Sequence, residues 1–302
     1  MSRPLPRISI VTPSYQQAGY IEATLRSVLD QGYPELEYLV IDGGSRDGTV
    51  DILKRYEPRF AYWESARDRG QYDAVERGLR RATGEVMGWL NSDDLYFPWT
   101  LRAVAGIFAQ HPEVEWICSL EAGHLDKVGM CAAWNPVNGY SREAFLDGRF
   151  LGHRPSVPTV SPRGWIQQES MFWRRGLWER SGARLGAQKL AADFDLWARF
   201  YEHAELVGVA TPLALFRFHP DQRSARMDEY VGEAAQALAR MRAAQGWRPP
   251  RARQAAYRAR LDKVPALAAA VAKGVGYRGK RIVRRVGPDG VGSWVMEGYA
   301  FL

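Results

Sequence analysis

Four consecutive polar side chains, Asn91, Ser92, Asp93 and Asp94, follow directly on the apolar run 86–90. The run reads as a buried strand, and it delivers an amide, a hydroxyl and two carboxylates to the edge of a sheet. In open α/β sheets, ligands bind outside the carboxyl ends of the strands. Two carboxylates there repel each other unless a cation lies between them. A hard divalent cation with oxygen ligands, Mg2+ or Mn2+, suits that position. The competing reading is that residues 91–94 cap the helix opened by Pro98, since Asn, Ser and Asp are all good caps.

Other candidate groups sit at comparable places. Asp42 precedes Gly43-Gly44-Ser45, and Asp68 and Asp73 flank the segment 69–72. Further along come Glu169, then Asp193 and Asp195 within 190–199, then Arg217 and His219 within 216–224. Each has a plain structural alternative. Asp42 suits a turn before two glycines. Asp73 suits the first turn of a helix, and Asp193 suits a cap. A lone His such as His219 is ordinarily a satisfied structural group.

The elements that must position these groups alternate regularly. Apolar β-type runs occur at 8–12, 36–41, 60–64, 86–90 and 114–120, with helical spacing at 21–29, 50–56, 72–82 and 98–110. Strands alternating with helices at this spacing predict a parallel, doubly wound sheet. Right-handed crossovers then put the strand ends on one side, so the loops 12–15, 42–45, 67–71 and 91–94 converge. One side offers acceptors and a ring for a base and ribose. The other offers carboxylates for a metal that can bridge a diphosphate. A nucleotide diphosphate is the simplest occupant.

Five ordered blocks sharpen this. They are Ile8-Ser9-Ile10-Val11-Thr12-Pro13-Ser14-Tyr15; Ser27-Val28-Leu29-Asp30-Gln31; the run 40–49 from Val40-Ile41-Asp42-Gly43-Gly44-Ser45 to Thr49; Asp68-Arg69-Gly70-Gln71-Tyr72-Asp73-Ala74; and Trp89-Leu90-Asn91-Ser92-Asp93-Asp94. Together they resemble glycosyltransferase family 2, over roughly 7–225. The resemblance implies the GT-A fold, a nucleotide-diphosphate sugar donor, a divalent metal (Mg2+ or Mn2+) and inversion at the anomeric centre. By position, Thr12, Pro13 and Tyr15 would line the nucleotide base, and Asp42 would bind base or ribose. Asp68 and Asp73 fall in the donor region. Asn91-Ser92-Asp93 occupies the Asp-X-Asp of the family with Asn in first place. Asp93 is then the metal ligand, and Asn91 and Ser92 contact ribose or sugar. Asp193 matches the general base, Glu169 is an acceptor- or sugar-binding carboxylate, and His219 folds back on the diphosphate or metal.

The implied reaction is an inverting displacement. One carboxylate takes the acceptor hydroxyl proton while a cation stabilises the departing diphosphate, so the two tasks need separate groups. The expected architecture is a Rossmann-like GT-A catalytic domain over 1–224, with a nucleotide-sugar half over 1–120 and an acceptor half over 121–224, and a basic helical extension over 225–302. The segment 121–165, rich in Gly, Pro and aromatics, is the expected acceptor lining.

Composition sets the outer limits. The 302 residues are 46% hydrophobic and 25% charged, with two cysteines, Cys118 and Cys131, in no metal-type spacing. No apolar h-region follows the polar start 1–7, so no signal peptide is expected. No apolar run reaches the length of a membrane span. Residues 1–222 hold 25 Lys+Arg against 28 Asp+Glu, and residues 223–302 hold 16 against 6, so the net charge of +7 resides in the C-terminal segment. Helices are expected near 230–245, 253–261 and 264–273, followed by Arg278, Lys280, Arg281, Arg284 and Arg285 interleaved with Ile282, Val283 and Val286. This stretch reads either as a solvated helical appendage or as an interfacial anchor on anionic lipid. A cytoplasmic protein, peripheral at the inner membrane face, is expected, with no nucleic-acid partner. Gly274-Val275-Gly276-Tyr277-Arg278-Gly279 has the spacing of a dinucleotide fingerprint but follows a helical pattern, not a strand, which removes its required context.

The leading expectation is transfer of a sugar from a UDP-sugar to a glycan or lipid-linked acceptor in surface polysaccharide synthesis. A sugar nucleotidyltransferase would want a basic Gly-rich loop after the first strand, and residues 12–17 contain no Lys or Arg. A binding module without chemistry is the remaining alternative, and Asn91 is its support.

Overall fold

The computed structural model describes residues 4–151, 164–220, 222, 226–248, 250–259, 261 and 264–302. The expected domain boundary at 224/225, Asp221, Arg223 and Ser224, and 152–163 of the expected acceptor segment lie outside the described residues. Numbered along the chain, the elements are β1 (Ile8–Ser14), α1 (Ile21–Leu29), β2 (Leu36–Asp42), α2 (Thr49–Tyr56), β3 (Tyr62–Ser65), α3 (Gln71–Arg81), β4 (Val86–Trp89), β5 (Leu95–Tyr96), α4 (Thr100–Gln110), β6 (Trp116–Ser119), β7 (Glu121–Leu125) and β8 (Cys131–Pro136). They continue as α5 (Arg142–Leu146), β9 (Met171–Arg174), α6 (Arg175–Arg180), α7 (Ala192–His203), β10 (Val207–Val209), β11 (Ala214–Arg217), α8 (Met227–Ala244), α9 (Arg251–Arg258), α10 (Pro265–Val275), β12 (Tyr277–Val286) and β13 (Gly292–Phe301). Two compact units result: 1–135 with 167–185 and 211–219, and 136–166 with 186–210 and 220–302.

In the first unit, β1 is buried at all seven positions. A strand covered on both faces is expected to be continuously apolar rather than alternating, and Ile8, Ile10 and Val11 meet that requirement. Strand β1 pairs in parallel with β2 on one side and β4 on the other, and β2 pairs in parallel with β3. The register sets Ser14 beside Asp42, and Asp42 beside Ser65. The strands therefore end together, which places the loops after them at one edge. Helix α3 packs on β1 through Gly78, where any Cβ would overlap the Val11 side chain.

The sheet is mixed beyond β4. Strand β9 runs antiparallel between β4 and β6, so the strand at 114–120 is not the neighbour of β4. Because β9 starts at the edge where β4 ends, the turn Gln168–Ser170 just before it arrives beside residues 91–94. A second sheet has the order β5-β11-β7-β8. In it β11 pairs antiparallel with β5, Leu215 opposite Leu95, and carries Arg217 to His219 back over the same turn. The helix after that turn begins at Thr100, with Trp99 at its N-cap and no side-chain cap. Residues 91–94 are thus not its cap.

The second unit contains α5, α7, β10, α8, α9, α10, β12 and β13. The three expected helices near 230–245, 253–261 and 264–273 are present as α8, α9 and α10. The helical expectation for the rest of the extension is corrected: residues 277–301 form a β-hairpin, paired antiparallel from Tyr277 opposite Phe301 to Val286 opposite Gly292. The β-branched and aromatic residues Ile282, Val283, Val286, Trp294 and Val295 favour a strand. Gly290, at φ 75, allows the tight return. Buried Asp147, following α5, accepts hydrogen bonds from Arg253 Nη1 at 2.5 Å, Tyr277 Oη at 3.0 Å and Trp247 Nε1 at 3.1 Å. One carboxylate thereby ties α9, β12 and the loop after α8 to α5. Among the described residues no helix is long and apolar enough to cross a membrane.

Candidate active site

The common edge of β1 to β4 carries two groups of side chains. The first surrounds Gly43. A Cβ at this position would lie 3.0 Å from Asp68 Oδ2 and 3.2 Å from Tyr15 Cδ2. Glycine thus lets the ring and the carboxylate close on the backbone from either side. Tyr15 is 62% exposed, a flat apolar face presented to solvent beside hydrogen-bond acceptors. Asp68 Oδ1 takes the Gly70 N–H at 2.8 Å, which fixes the start of α3.

The second group is the turn at 91–94, closed by the Asp94 N–H donating to Asn91 O at 3.2 Å. Asp93 Oδ2 lies 2.9 Å from His219 Nε2. Its backbone carbonyl accepts from Arg217 Nε at 2.8 Å. Asp94 points inward at 1% exposure and takes the Arg217 N–H at 2.9 Å. Burial, with the charges of Asp93 and Glu169 added, pushes the Asp94 carboxyl well above the usual range, against the pull of the Arg217 N–H. Glu169 is buried in the turn Gln168–Ser170. Asn91 accepts from Gln71 Nε2 at 2.6 Å and donates to Gln168 Oε1 at 3.1 Å. Ser92 is buried beside them.

Three of the expected binding groups, Thr12, Pro13 and Asp42, are buried. Thr12 is buried, and its hydroxyl meets Tyr38 Oη at 2.9 Å inside the core. Pro13 is buried in β1. Asp42 is fully buried and accepts four hydrogen bonds, from the Gly44 and Ser45 N–H groups and the Ser45 and Ser65 hydroxyls, at 2.6 to 3.0 Å. It builds the loop that holds Gly43. Asp73 stands in the first turn of α3 paired with Arg69. Burial works against its charge, but the Arg69 hydrogen bonds outweigh burial and hold its carboxyl below the usual range. Asp193, in the second unit, lies in the first turn of α7, whose N-cap is Ala191, and accepts from Tyr230 Oη at 3.3 Å. Sequence reasoning passed over Gln71, Gln168 and Tyr20, whose ring centroid is 4.7 Å from that of His219. Amides and aromatics carry no spacing signature, and only the antiparallel β9 brings Gln168 here.

Among the described residues no three His, Cys, Asp or Glu side chains are grouped to hold a metal ion by themselves. The donor set at the turn is one carboxylate, Asp93, and one imidazole, His219. Mg2+ is commonly held by one or two carboxylates together with substrate phosphates and waters. The residues present therefore fit a divalent cation that arrives with a diphosphate, not one caged by protein alone.

The strand order, the convergent loops and the acidic turn define a GT-A type α/β fold. Staphylococcus aureus TarS 1–349, solved in complex with UDP-GlcNAc, matches with a TM-score of 0.59 at 17% identity, over 78% of this chain and 66% of that one. The mannosyltransferase PcManGT from Pyrobaculum calidifontis, solved with GDP-Man and Mn2+, matches at 0.52 and 18% identity, over 87% of this chain and 82% of that one. At these identities the likeness speaks for the fold. Residues 9–145, a little under half of the chain, match the family described as Glycosyl transferase family 2. An uncharacterized glycosyltransferase of Mycobacterium tuberculosis is 40% identical over 92 residues, 30% of this chain and 35% of the relative. A PGL/p-HBAD biosynthesis glycosyltransferase of Mycobacterium bovis is 27% identical over 206 residues, 67% of this chain and 72% of the relative. The chain thus spans about a third of the length of the first curated relatives it matches.

Proposed function

We propose that the protein is an inverting glycosyltransferase that moves a sugar from a UDP-sugar to a glycan or lipid-linked acceptor in surface polysaccharide synthesis. The observation that carries the reading is the pairing of two groups at one sheet edge: the exposed Tyr15 ring with Asp68 across Gly43, and Asp93 with His219. The first suits a base and ribose, and the second suits a metal-bound diphosphate. Tyr15 stacks on the base and Asp68 accepts from the nucleoside or sugar hydroxyls. Asp42, Thr12 and Pro13 act on the donor by shaping the loops, and Asp73 by anchoring α3. Asn91 and Ser92 orient the turn. Asp93 and His219 would hold Mg2+ or Mn2+, which when bound neutralises the diphosphate.

In this reading Asp193 accepts the proton of the acceptor hydroxyl. The hydroxyl oxygen bonds to the anomeric carbon, the bond from that carbon to the phosphate oxygen breaks, and the nucleoside diphosphate leaves with the electron pair. Proton transfer by a positioned carboxylate contributes on the order of 10²–10⁴ in rate. Glu169 lies beside the turn as a carboxylate for sugar hydroxyls. A role in biosynthesis is supported by the PGL/p-HBAD biosynthesis relative. The basic C-terminal hairpin supports work at the inner face of a membrane.

The deciding experiment is a thermal-shift panel of UDP, GDP and dTDP with and without Mn2+, followed by nucleotide release from the matching nucleotide-sugars. A ligand bound only by the folded state raises its apparent stability. Stabilisation by UDP that grows with Mn2+, and slow UDP release, is the expected result. Stabilisation without release alongside any acceptor would instead make the chain a binding module.

A further inference from the structure

We propose that Gln71, Asn91 and Gln168 form a one-way carboxamide relay that positions the Asp93 turn, and that the relay requires an amide, not a carboxylate, at position 91. The inference rests on reading this edge as the donor site. Its direction is set at one end by the backbone. Gln168 Nε2 donates to the Trp89 carbonyl oxygen at 2.7 Å, and a carbonyl can only accept. That turns Gln168 Oε1 toward Asn91, 3.1 Å from Nδ2. The same Nδ2 also lies 3.5 Å from Asp94 Oδ2, and Gln168 Oε1 before it is an acceptor. Asn91 Oδ1 is then left to accept from Gln71 Nε2, at 2.6 Å.

Each partner comes from a different element. Gln71 opens α3, Asn91 opens the turn after β4 and Gln168 sits in the turn before β9. The relay thereby fixes the turn against a helix and a strand that approach it from opposite directions in the chain. An aspartate at position 91 would keep the shape and lose the donor. One of its oxygens would face the acceptor Gln168 Oε1. Gln168 cannot turn over to help, because its own oxygen would then meet the Trp89 carbonyl. Position 91 therefore brings no charge to the turn, and Asn there is a built feature rather than a lost acid.

The test is a double-mutant cycle on the full chain: Asn91→Asp, Gln168→Lys and the two combined. A lysine at 168 can donate both to Trp89 O and to a carboxylate at 91, and it balances the new charge. Two readouts are taken, the Tm without ligand and the steady-state KM and kcat for release of UDP from the UDP-sugar with Mn2+. Asn91→Asp is expected to lower Tm and raise the donor KM by about tenfold or more. The double variant is expected to recover both beyond the sum of the single effects, leaving KM within about threefold of the unmodified chain. An Asn91→Asp chain with unchanged Tm and KM, or a double variant no better than additive, overturns the relay. If the unmodified chain releases nucleotide from no nucleotide-sugar, the donor reading fails by itself, and the Tm arm of the cycle still decides whether the relay exists.

Discussion

His219 Nε2 stands 2.9 Å from Asp93 Oδ2, although 126 positions separate the two residues. The contact exists because β11 folds back on the two-residue strand β5 and places its own continuation over the turn at 91–94. Tyr20 packs against the imidazole, and Arg217 holds the Asp93 backbone carbonyl. A carboxylate and an imidazole are thus presented together at the mouth of the loops that follow β1 to β4.

Removing either partner tests their joint role. Asp93→Asn and His219→Ala are each expected to abolish or sharply reduce the extra stabilisation that Mn2+ gives to the UDP-bound chain, while the shift produced by UDP alone persists. Binding at a hundredfold excess over Kd stabilises by about 2.7 kcal/mol, so loss of that increment is readily measured by differential scanning fluorimetry. Undiminished Mn2+-dependent stabilisation in Asp93→Asn would remove the assignment.

Asp193 is the proposed base, so its effect should appear in turnover and not in binding. Asp193→Asn keeps the shape of the first turn of α7. The variant should lose about 10²–10⁴ in kcat with acceptor present, with the UDP shift and Tm little changed. Near-normal turnover in single-turnover kinetics would show that another group takes the proton.

Acid stability should depend on Glu37, a buried carboxylate away from the proposed site. It accepts from the Thr83 N–H at 2.7 Å, the Thr83 hydroxyl at 2.8 Å and Arg7 at 3.3 Å, and also from the Ser9 hydroxyl. Burial opposes the charge, but the hydrogen bonds from Ser9 and Thr83 prevail and hold its carboxyl below the ordinary 4.5. The folded state then binds fewer protons than the unfolded state. Its contribution is complete above 4.5 and is lost as pH falls through the lowered folded value. Glu37→Gln should cost about 1–3 kcal/mol at neutral pH and flatten the acid limb. Parallel stability curves for the two proteins between pH 3 and 6 would show that Glu37 makes no such contribution.

The parallel half of the fold was legible because its signals are local. The strands near 8–12, 36–41 and 86–90 are continuous apolar runs, and their alternation with helices fixes where their ends converge. The acidic turn was legible for the same reason. What escaped depends on pairing across long stretches of chain. Strand β9 reads like any short apolar run, and nothing near Gln168 announces that it will meet Asn91. Thr12 and Asp42 point inward because register and turn geometry, not residue type, decide which way a polar side chain faces. The hairpin at 277–301 was obscured by its arginines, which suit a helix in sequence and are carried here by a strand whose partner lies beyond the turn.

That hairpin presents a row of basic side chains along one strand. Arg278, Lys280 and Arg284 fall at alternate positions of β12, on one side of it, with Ile282 buried between them. Residues two apart on a strand are about 7 Å from each other, a spacing open to separate anionic headgroups. The one carboxylate of the strands, Glu297, is already paired with Arg281 at 2.7 Å and Arg285 at 3.1 Å. At the tip, Val286 and Val291 are 68% and 65% exposed. Each basic side chain near an anionic bilayer contributes about 1 kcal/mol. The triple charge reversal Arg278→Glu, Lys280→Glu, Arg284→Glu should therefore weaken binding to phosphatidylglycerol-containing vesicles by about 100-fold or more, in a salt-sensitive manner. Release of UDP in the absence of acceptor should be unaffected. Co-sedimentation that is equal on neutral phosphatidylcholine vesicles, or unchanged by the reversal, would mean that the hairpin does not meet a membrane.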